Sequence, residues 1–194
     1  MIKAIIFDYG GVLVEDTIEK ISEAVSKKFN KNLLETKQKI KEFLRDYQKS
    51  NLSQEKYFQL ISNSLNIDSE ELKKIWIKED NKSKSDTAVE NLIKRLRING
   101  YKTALLSNTI PYGKYLKKHL KLFTVKVFSE NKIRKPELAI YRLTLKKLEV
   151  NPEESIFVDN KEVNLIPARE LGMQTILFQN PEQLKNDLQK ILKM

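Results

Sequence analysis

The chain has 194 residues, 36 Lys and Arg against 26 Asp and Glu, a formal net charge of +10, one histidine and no cysteine. That length suits one domain, or one carrying a smaller inserted one, around a substantial buried core. The missing cysteines exclude disulfides and thiolate metal sites, and the lone His119 excludes a histidine-cluster site, so any metal is held by oxygen ligands, as a hard cation such as Mg²⁺ would be.

No stretch approaches the roughly 18 to 20 apolar residues of a membrane span, and no N-terminal signal segment is evident. A soluble, cytoplasmic protein with no membrane partner is the expectation. In chain order, the first element is the apolar run Ala4-Ile5-Ile6-Phe7, which ends on Asp8 and is followed by Tyr9-Gly10-Gly11. An unbroken apolar run that stops at glycines predicts a central parallel strand buried on both faces. Asp8 then lies at the strand's carboxyl end, where open α/β sheets bind ligands. The glycines suit close approach of the backbone to a ligand, beside the plainer role of Asp8 as a turn cap.

Beyond Leu13 the strand pattern stops. Residues 17–29, 33–48, 54–65 and 69–78 read as amphipathic helices, with Ile18, Ile21, Ala24 and Val25, or Tyr57, Leu60, Ile61 and Leu65, at helical spacing. Ser53 and Asp68 are expected N-caps, and Glu71 stands at capping-box spacing from Asp68. An all-helical stretch over residues 15–85 cannot join the sheet and must pack above it. This divides the chain into a core of residues 1–14 and 86–194 and an inserted helical unit.

Strand signals resume after Asp86, the expected cap of a helix through residue 98 that stops at Asn99-Gly100. Residues 103–106 form a strand running into Ser107-Asn108-Thr109, 111–120 a helix, 125–128 a short strand and 137–148 a helix. A strand at 155–158 runs into Asp159-Asn160, followed by a helix at 163–171, a strand at 175–178 and a closing helix at 181–192. Such alternation implies an α/β fold, a Rossmann-like parallel sheet with right-handed crossovers.

Three strand ends thus carry Asp8, Ser107 and Asp159, and Arg134-Lys135-Pro136-Glu137 lies between the last two. Carboxylate, hydroxyl, lysine and second acid, in that order over residues 3–178, resemble the haloacid dehalogenase (HAD) superfamily of hydrolases, whose members are mostly Mg²⁺-dependent phosphatases. The resemblance implies that Asp8 is a nucleophile that forms an aspartyl-phosphate, hydrolysed in a second step. It assigns Lys135 and the Ser107 hydroxyl to the phosphoryl oxygens, with Gly11 and Asn108 beside them. It places the metal on Asp8, the Gly10 carbonyl, Asp159 and Asn160. It also makes the inserted helices a cap that closes over the site and selects a small phosphorylated metabolite. Without the resemblance, Ser107-Asn108 reads as a turn or helix cap, and Lys135 as a solvated lysine before a helix-starting proline.

Two positions depart from the family pattern. The phosphatase motif is Asp-x-Asp, whose second acid protonates the leaving alcohol, and Gly10 takes that place here. Losing general acid–base help costs about 10² to 10⁴ in rate, while glycine keeps the backbone carbonyl offered to the metal. The dehalogenase pattern, with tyrosine two residues after the nucleophile, is not met either, because Tyr9 follows Asp8 directly. At Asp159-Asn160 many family phosphatases have Asp-Asp and a later Asn, matched here by Asn164. Asn160 falls on the usual metal ligand with a neutral carboxamide, which lowers affinity and leaves Asp159 as a substitute ligand. The nearest acids to replace the missing donor are Glu15 and Asp16, although Asp16 equally suits a cap for the helix that follows. The reading is a slow phosphatase. Its alternative is a catalytically impaired protein of the same fold that binds a phosphorylated ligand or a protein partner.

The charge is uneven: Lys114, Lys117, Lys118, Lys121, Lys126, Lys132, Arg134 and Lys135 stand against Glu130 alone between 114 and 135. Their field would draw an anionic substrate toward Asp8, unless the ammonium groups are simply solvated. Too few aromatics interleave them for a nucleic-acid surface, so no nucleic-acid partner is expected. His119, on this lysine-rich helix, reads as a surface residue. Nothing in the pattern specifies an oligomeric state.

Overall fold

A computed structural model describes residues 1–49, 53–108, 116–129 and 133–193. Five strands, β1 (Ala4–Phe7), β2 (Lys102–Ser107), β3 (Val125–Phe128), β4 (Ser155–Asp159) and β5 (Gln174–Leu177), pair in parallel in the order β3-β2-β1-β4-β5. The helices, in chain order, are α1 (Ile18–Phe29), α2 (Leu33–Lys49), α3 (Gln54–Leu65), α4 (Ser69–Lys82), α5 (Thr87–Ile98), α6 (Leu116–His119), α7 (Leu138–Leu148), α8 (Glu162–Glu170) and α9 (Pro181–Leu192).

β1 is central because it is apolar at every position and buried throughout. Ile5 and Phe7 face a layer that includes Val89, Ile93 and Leu96 of α5 and Leu184 and Leu188 of α9. Ala4 and Ile6 face the opposite layer, with Ile140, Tyr141 and Leu145 of α7 and Leu165 and Ala168 of α8. The period-two alternation of a strand therefore feeds two cores at once, each fully buried large side chain contributing about 1.5 to 3 kcal/mol. This is the Rossmann-like α/β sheet that the strand–helix alternation implies.

Helices α1 to α4 enclose a core of their own, built on Ile21, Val25, Ile40, Ile61, Leu72 and an aromatic trio. The rings of Tyr57, Phe58 and Trp76 lie 5.5 to 5.8 Å apart, and Trp76 meets both of its neighbours edge to face. Two linkers join this unit to the sheet and pair with each other. Val14 bridges Ser85, the Glu15 N–H donates to the Lys84 carbonyl at 3.2 Å, and the Asp86 N–H donates to the Leu13 carbonyl at 2.9 Å.

Some element ends differ from expectation. α4 runs to Lys82 rather than 78, because its last turn is polar and shows no apolar period; Glu79 and Lys82 pair there, and the Ser83 hydroxyl closes the end on the Asp80 carbonyl. Asp68 accepts from the Glu71 N–H at 2.8 Å, but the Glu71 carboxylate goes to Lys28 and Lys74, so the capping box is only half made. The helix expected over 111–120 is described only as the single turn α6 and a 3₁₀ turn at Leu120–Leu122; its first residues lie outside the described ones. Among the described residues no helix is long and apolar enough to cross a membrane.

Candidate active site

β2, β1 and β4 are neighbours, so Ser107, Asp8 and Asp159 stand side by side along the carboxyl edge of the sheet. All are buried, at 1, 5 and 0% exposure, and so is Lys135 at 1%, which enters from the loop between β3 and α7. A buried ammonium needs paired charge, and Lys135 Nζ reaches both Asp8 Oδ1 and Asp159 Oδ2 at 2.7 Å. The ammonium also sits 5.4 Å from the centre of the Phe157 ring.

Asn108 fixes the backbone of Lys135. Its Oδ1 accepts from the Lys135 N–H and its Nδ2 donates to the Lys135 carbonyl, both at 2.9 Å. The carboxamide expected beside the phosphoryl oxygens thus positions the lysine.

Asp159 is likewise an anchor. Its Oδ1 accepts from the Lys161 N–H at 2.8 Å and from Asn164 Nδ2 at 3.1 Å, while Oδ2 takes Lys135 and a second contact to Asn164 Nδ2 at 3.0 Å. Both oxygens are engaged in a fully enclosed position. Tyr141 steadies Asn164 in turn, its hydroxyl donating to the Asn164 carbonyl at 2.7 Å.

Asn160 behaves differently. Its carboxamide lies against Gly11, where φ is +85° and an added Cβ would fall 2.1 Å from Asn160 Nδ2, so only glycine fits there. Asn160 Oδ1 is buried without a hydrogen-bond partner. An orphaned buried acceptor asks for an explanation, and a hard cation is one that suits its chemistry. Among the described residues no group of three or more His, Cys, Asp and Glu side chains could hold a metal. A cation here would use the Asp8 carboxylate, the Gly10 carbonyl and Asn160 Oδ1. Burial pushes the Asp8 carboxyl above its ordinary value, Lys135 opposes that rise and Asp159 adds to it.

The family model for haloacid dehalogenase-like hydrolases matches residues 2–172. The chain belongs to this family. Among curated proteins, it is 35% identical over 104 residues to mouse acyl-CoA dehydrogenase family member 10, covering 52% of this chain and 10% of that protein. It is 42% identical over 57 residues to mouse bifunctional epoxide hydrolase 2, covering 29% of this chain and 10% of that one. The chain thus spans about a tenth of the length of these relatives. A HAD family enzyme from Bacteroides thetaiotaomicron, solved with magnesium and inorganic phosphate, superposes with a TM-score of 0.71 at 22% identity, over 92% of this chain and 95% of that one. A predicted HAD-like family hydrolase from Porphyromonas gingivalis gives 0.73 at 19% identity over 100% and 99% of the two chains. L-2-haloacid dehalogenase from Xanthobacter autotrophicus gives 0.65 at 18% identity over 98% and 83%. At these identities the structures share the fold.

In this HAD-like hydrolase the place of the missing acid is open: a Cβ built at Gly10 meets no heavy atom within 4 Å. Neither expected replacement sits as a ready donor. Glu15 accepts from Lys20 Nζ at 2.7 Å and from the Lys84 N–H at 3.4 Å, and the Lys20 hydrogen bond holds its carboxyl below the usual range, the wrong direction for a proton donor. Asp16 accepts from the Ile18 N–H at 3.2 Å from one residue before Thr17, which holds the cap position of α1, and pairs with Lys161 Nζ at 3.2 Å. Lys161 adjoins Asn160 and feels Asp8 and Asp159 as well, so of the two acids Asp16 is the one linked electrostatically to the site.

His119 corrects the surface expectation: it is fully buried. On the short α6 the exposed side goes to Lys118, and the imidazole turns inward to polar partners. Its Nδ1 lies 3.2 Å from the Tyr9 hydroxyl, and its Nε2 lies 3.1 Å from Glu90 Oε1 and 2.9 Å from Ser85 Oγ. The Ser85 hydroxyl also bonds Glu90, and Lys118 Nζ pairs with Glu90 Oε2 at 2.9 Å. A signal existed: Glu90 stands three residues before Ile93, on the apolar stripe of α5. Of the basic run, Lys135 is thus buried in the site, Lys118 is paired, and Lys121 and Lys126 are exposed; Lys114, Glu130, Lys132 and the Lys117 side chain lie outside the described residues.

Proposed function

We propose that this HAD-like hydrolase is a Mg²⁺-dependent phosphomonoesterase, acting slowly on a small phosphorylated metabolite through an aspartyl-phosphate on Asp8. The observation that carries the reading is the Lys135 ammonium shared by Asp8 and Asp159 beside Ser107, at the carboxyl edge of the sheet. The magnesium and phosphate found in the Bacteroides thetaiotaomicron enzyme of like fold support it.

The Asp8 carboxylate attacks phosphorus as the ester P–O bond breaks, and the leaving alkoxide takes its proton from solvent, since Gly10 has none to give. Water then attacks the acyl phosphate, releases inorganic phosphate and restores Asp8. Lys135 Nζ and the Ser107 hydroxyl neutralise and orient the phosphoryl oxygens, while Asp159 and Asn108 keep Lys135 in place. Bound Mg²⁺, held by Asp8, the Gly10 carbonyl and Asn160 Oδ1, would supply charge neutralisation between the two anions. The α1–α4 unit serves as the cap, hinged on the paired linkers, and its side chains select the substrate.

The test is release of nitrophenolate from p-nitrophenyl phosphate with Mg²⁺ and with EDTA, then a panel of phosphorylated metabolites. Activity lost in EDTA and in Asp8→Asn supports the reading. The neutral Asn160 and the absent acid favour a second one, a phosphate-binding protein without turnover, which predicts binding of inorganic phosphate and no nitrophenolate from the wild type.

A further inference from the structure

The buried cluster around His119 lies outside the phosphoryl site, yet it joins parts that the reaction needs aligned. Tyr9 directly follows Asp8, Ser85 belongs to the linker returning from α1–α4, Glu90 lies in the first turn of α5, and His119 ends α6. One imidazole thus meets three separate segments of the chain.

Hydrogen-bond inventory assigns the ring's state. Although burial works against it, bonds from Ser85, Lys118 and His119 hold the Glu90 carboxyl at about 2, so it is an anion and can only accept. Burial lowers the His119 pKa against the pull of Glu90, which favours the neutral ring. A neutral ring beside a carboxylate carries its proton on Nε2, leaving Nδ1 to accept from the Tyr9 hydroxyl. Among the described residues, the charged groups facing this assembly include Glu90 of α5, Lys118 of α6, and Asp80 of α4, whose field acts on Tyr9.

We propose that His119 is a positioning residue, which fixes the cap's return linker against the loop bearing Asp8 by accepting from Tyr9 and donating to Glu90 and Ser85. Its kinetic consequence rests on the phosphatase reading; the geometry does not. An imidazole that holds both segments makes them move together, so a change at one is felt at the other.

His119 is the sole histidine, so its ring nitrogens can be read by ¹⁵N NMR on the full chain without any activity. The expected result is the Nε2–H tautomer at pH 7. Tyr9→Phe keeps the ring packing and removes only the hydroxyl. It should speed amide exchange about tenfold at Glu15 and Asp86, the linker amides bonded to Lys84 and Leu13. Tyr9→Phe and Ser85→Ala should each lower kcat for p-nitrophenyl phosphate about tenfold with KM little changed. An Nδ1–H tautomer, an imidazolium at pH 7, or unchanged linker exchange in folded Tyr9→Phe overturns the proposal. If the wild type turns over no substrate while tautomer and exchange come out as expected, the positioning role stands and the phosphatase reading falls.

Discussion

Glycine at position 10 removes a functional group while leaving the space for it. Because nothing lies within 4 Å of a Cβ built there, Gly10→Asp is expected to fold and to raise kcat/KM for alkyl phosphates by about 10²-fold or more. A nitrophenyl ester, whose leaving group needs little protonation, should gain far less. Equal gains for both esters, or none, would show that the position does not serve as an acid. At the neighbouring motif, Asn160 is the one proposed side-chain donor to the metal that lacks charge, so Asn160→Asp should tighten Mg²⁺ by about tenfold in calorimetry. Unchanged affinity would take Asn160 out of the metal shell. Asp8 carries the opposite kind of cost. Its pKa is raised in the fold, so its contribution is favourable below the unfolded value of 3.8 and is lost as pH rises through the folded one. Asp8→Asn in metal-free buffer at pH 7 should therefore raise the melting temperature while abolishing turnover; a lower melting temperature would mean that the ion pair with Lys135 outweighs desolvation.

Secondary-structure elements hold the two paired linkers. Asp86 caps α5 by accepting from Ala88 N at 3.0 Å and Val89 N at 3.1 Å, and its own N–H holds Leu13 across the paired linkers. Asp86→Ala should cost about 1 kcal/mol, read as a lower urea midpoint at unchanged slope. An unchanged midpoint would mean that the cap is replaced by solvent. Caps of this kind were legible from sequence because each needs only a short side chain and the next turn of backbone; Ser53, Asp68 and Asp86 all cap as their spacing implies. The reciprocal half of the Asp68 box was not legible, since Glu71 chooses between its own helix and Lys28 on α1, a partner 43 residues away.

At the scale of the whole molecule, pH tests the buried polar cluster. The His119 pKa is lowered from 6.5, so its contribution is complete above 6.5 and is lost as pH falls through the folded value. Glu90, lowered from 4.5 to about 2, holds its contribution above 4.5 and loses it below, toward about 2. Asp8 and Asp80, raised by burial, act in the opposite sense, so the wild type is best compared with His119→Gln. The denaturant midpoint should fall between pH 7 and pH 5 in the wild type and fall less in the variant; parallel curves would assign the decline to other groups. By itself the sequence determined the strand–helix alternation of a parallel sheet and its apolar central strand, because strand period and helix period are local properties of the chain; the grouping of Asp8, Ser107, Lys135 and Asp159 was legible only through the family resemblance. Only the tertiary structure decided what those groups do to one another: that Asp159 and Asn108 hold Lys135, that Asn160 keeps an unpartnered oxygen against Gly11, and that His119 is buried. Those outcomes depend on side chains brought together from strands and loops far apart in the chain, where burial and competing partners, and not residue type, set each group's role.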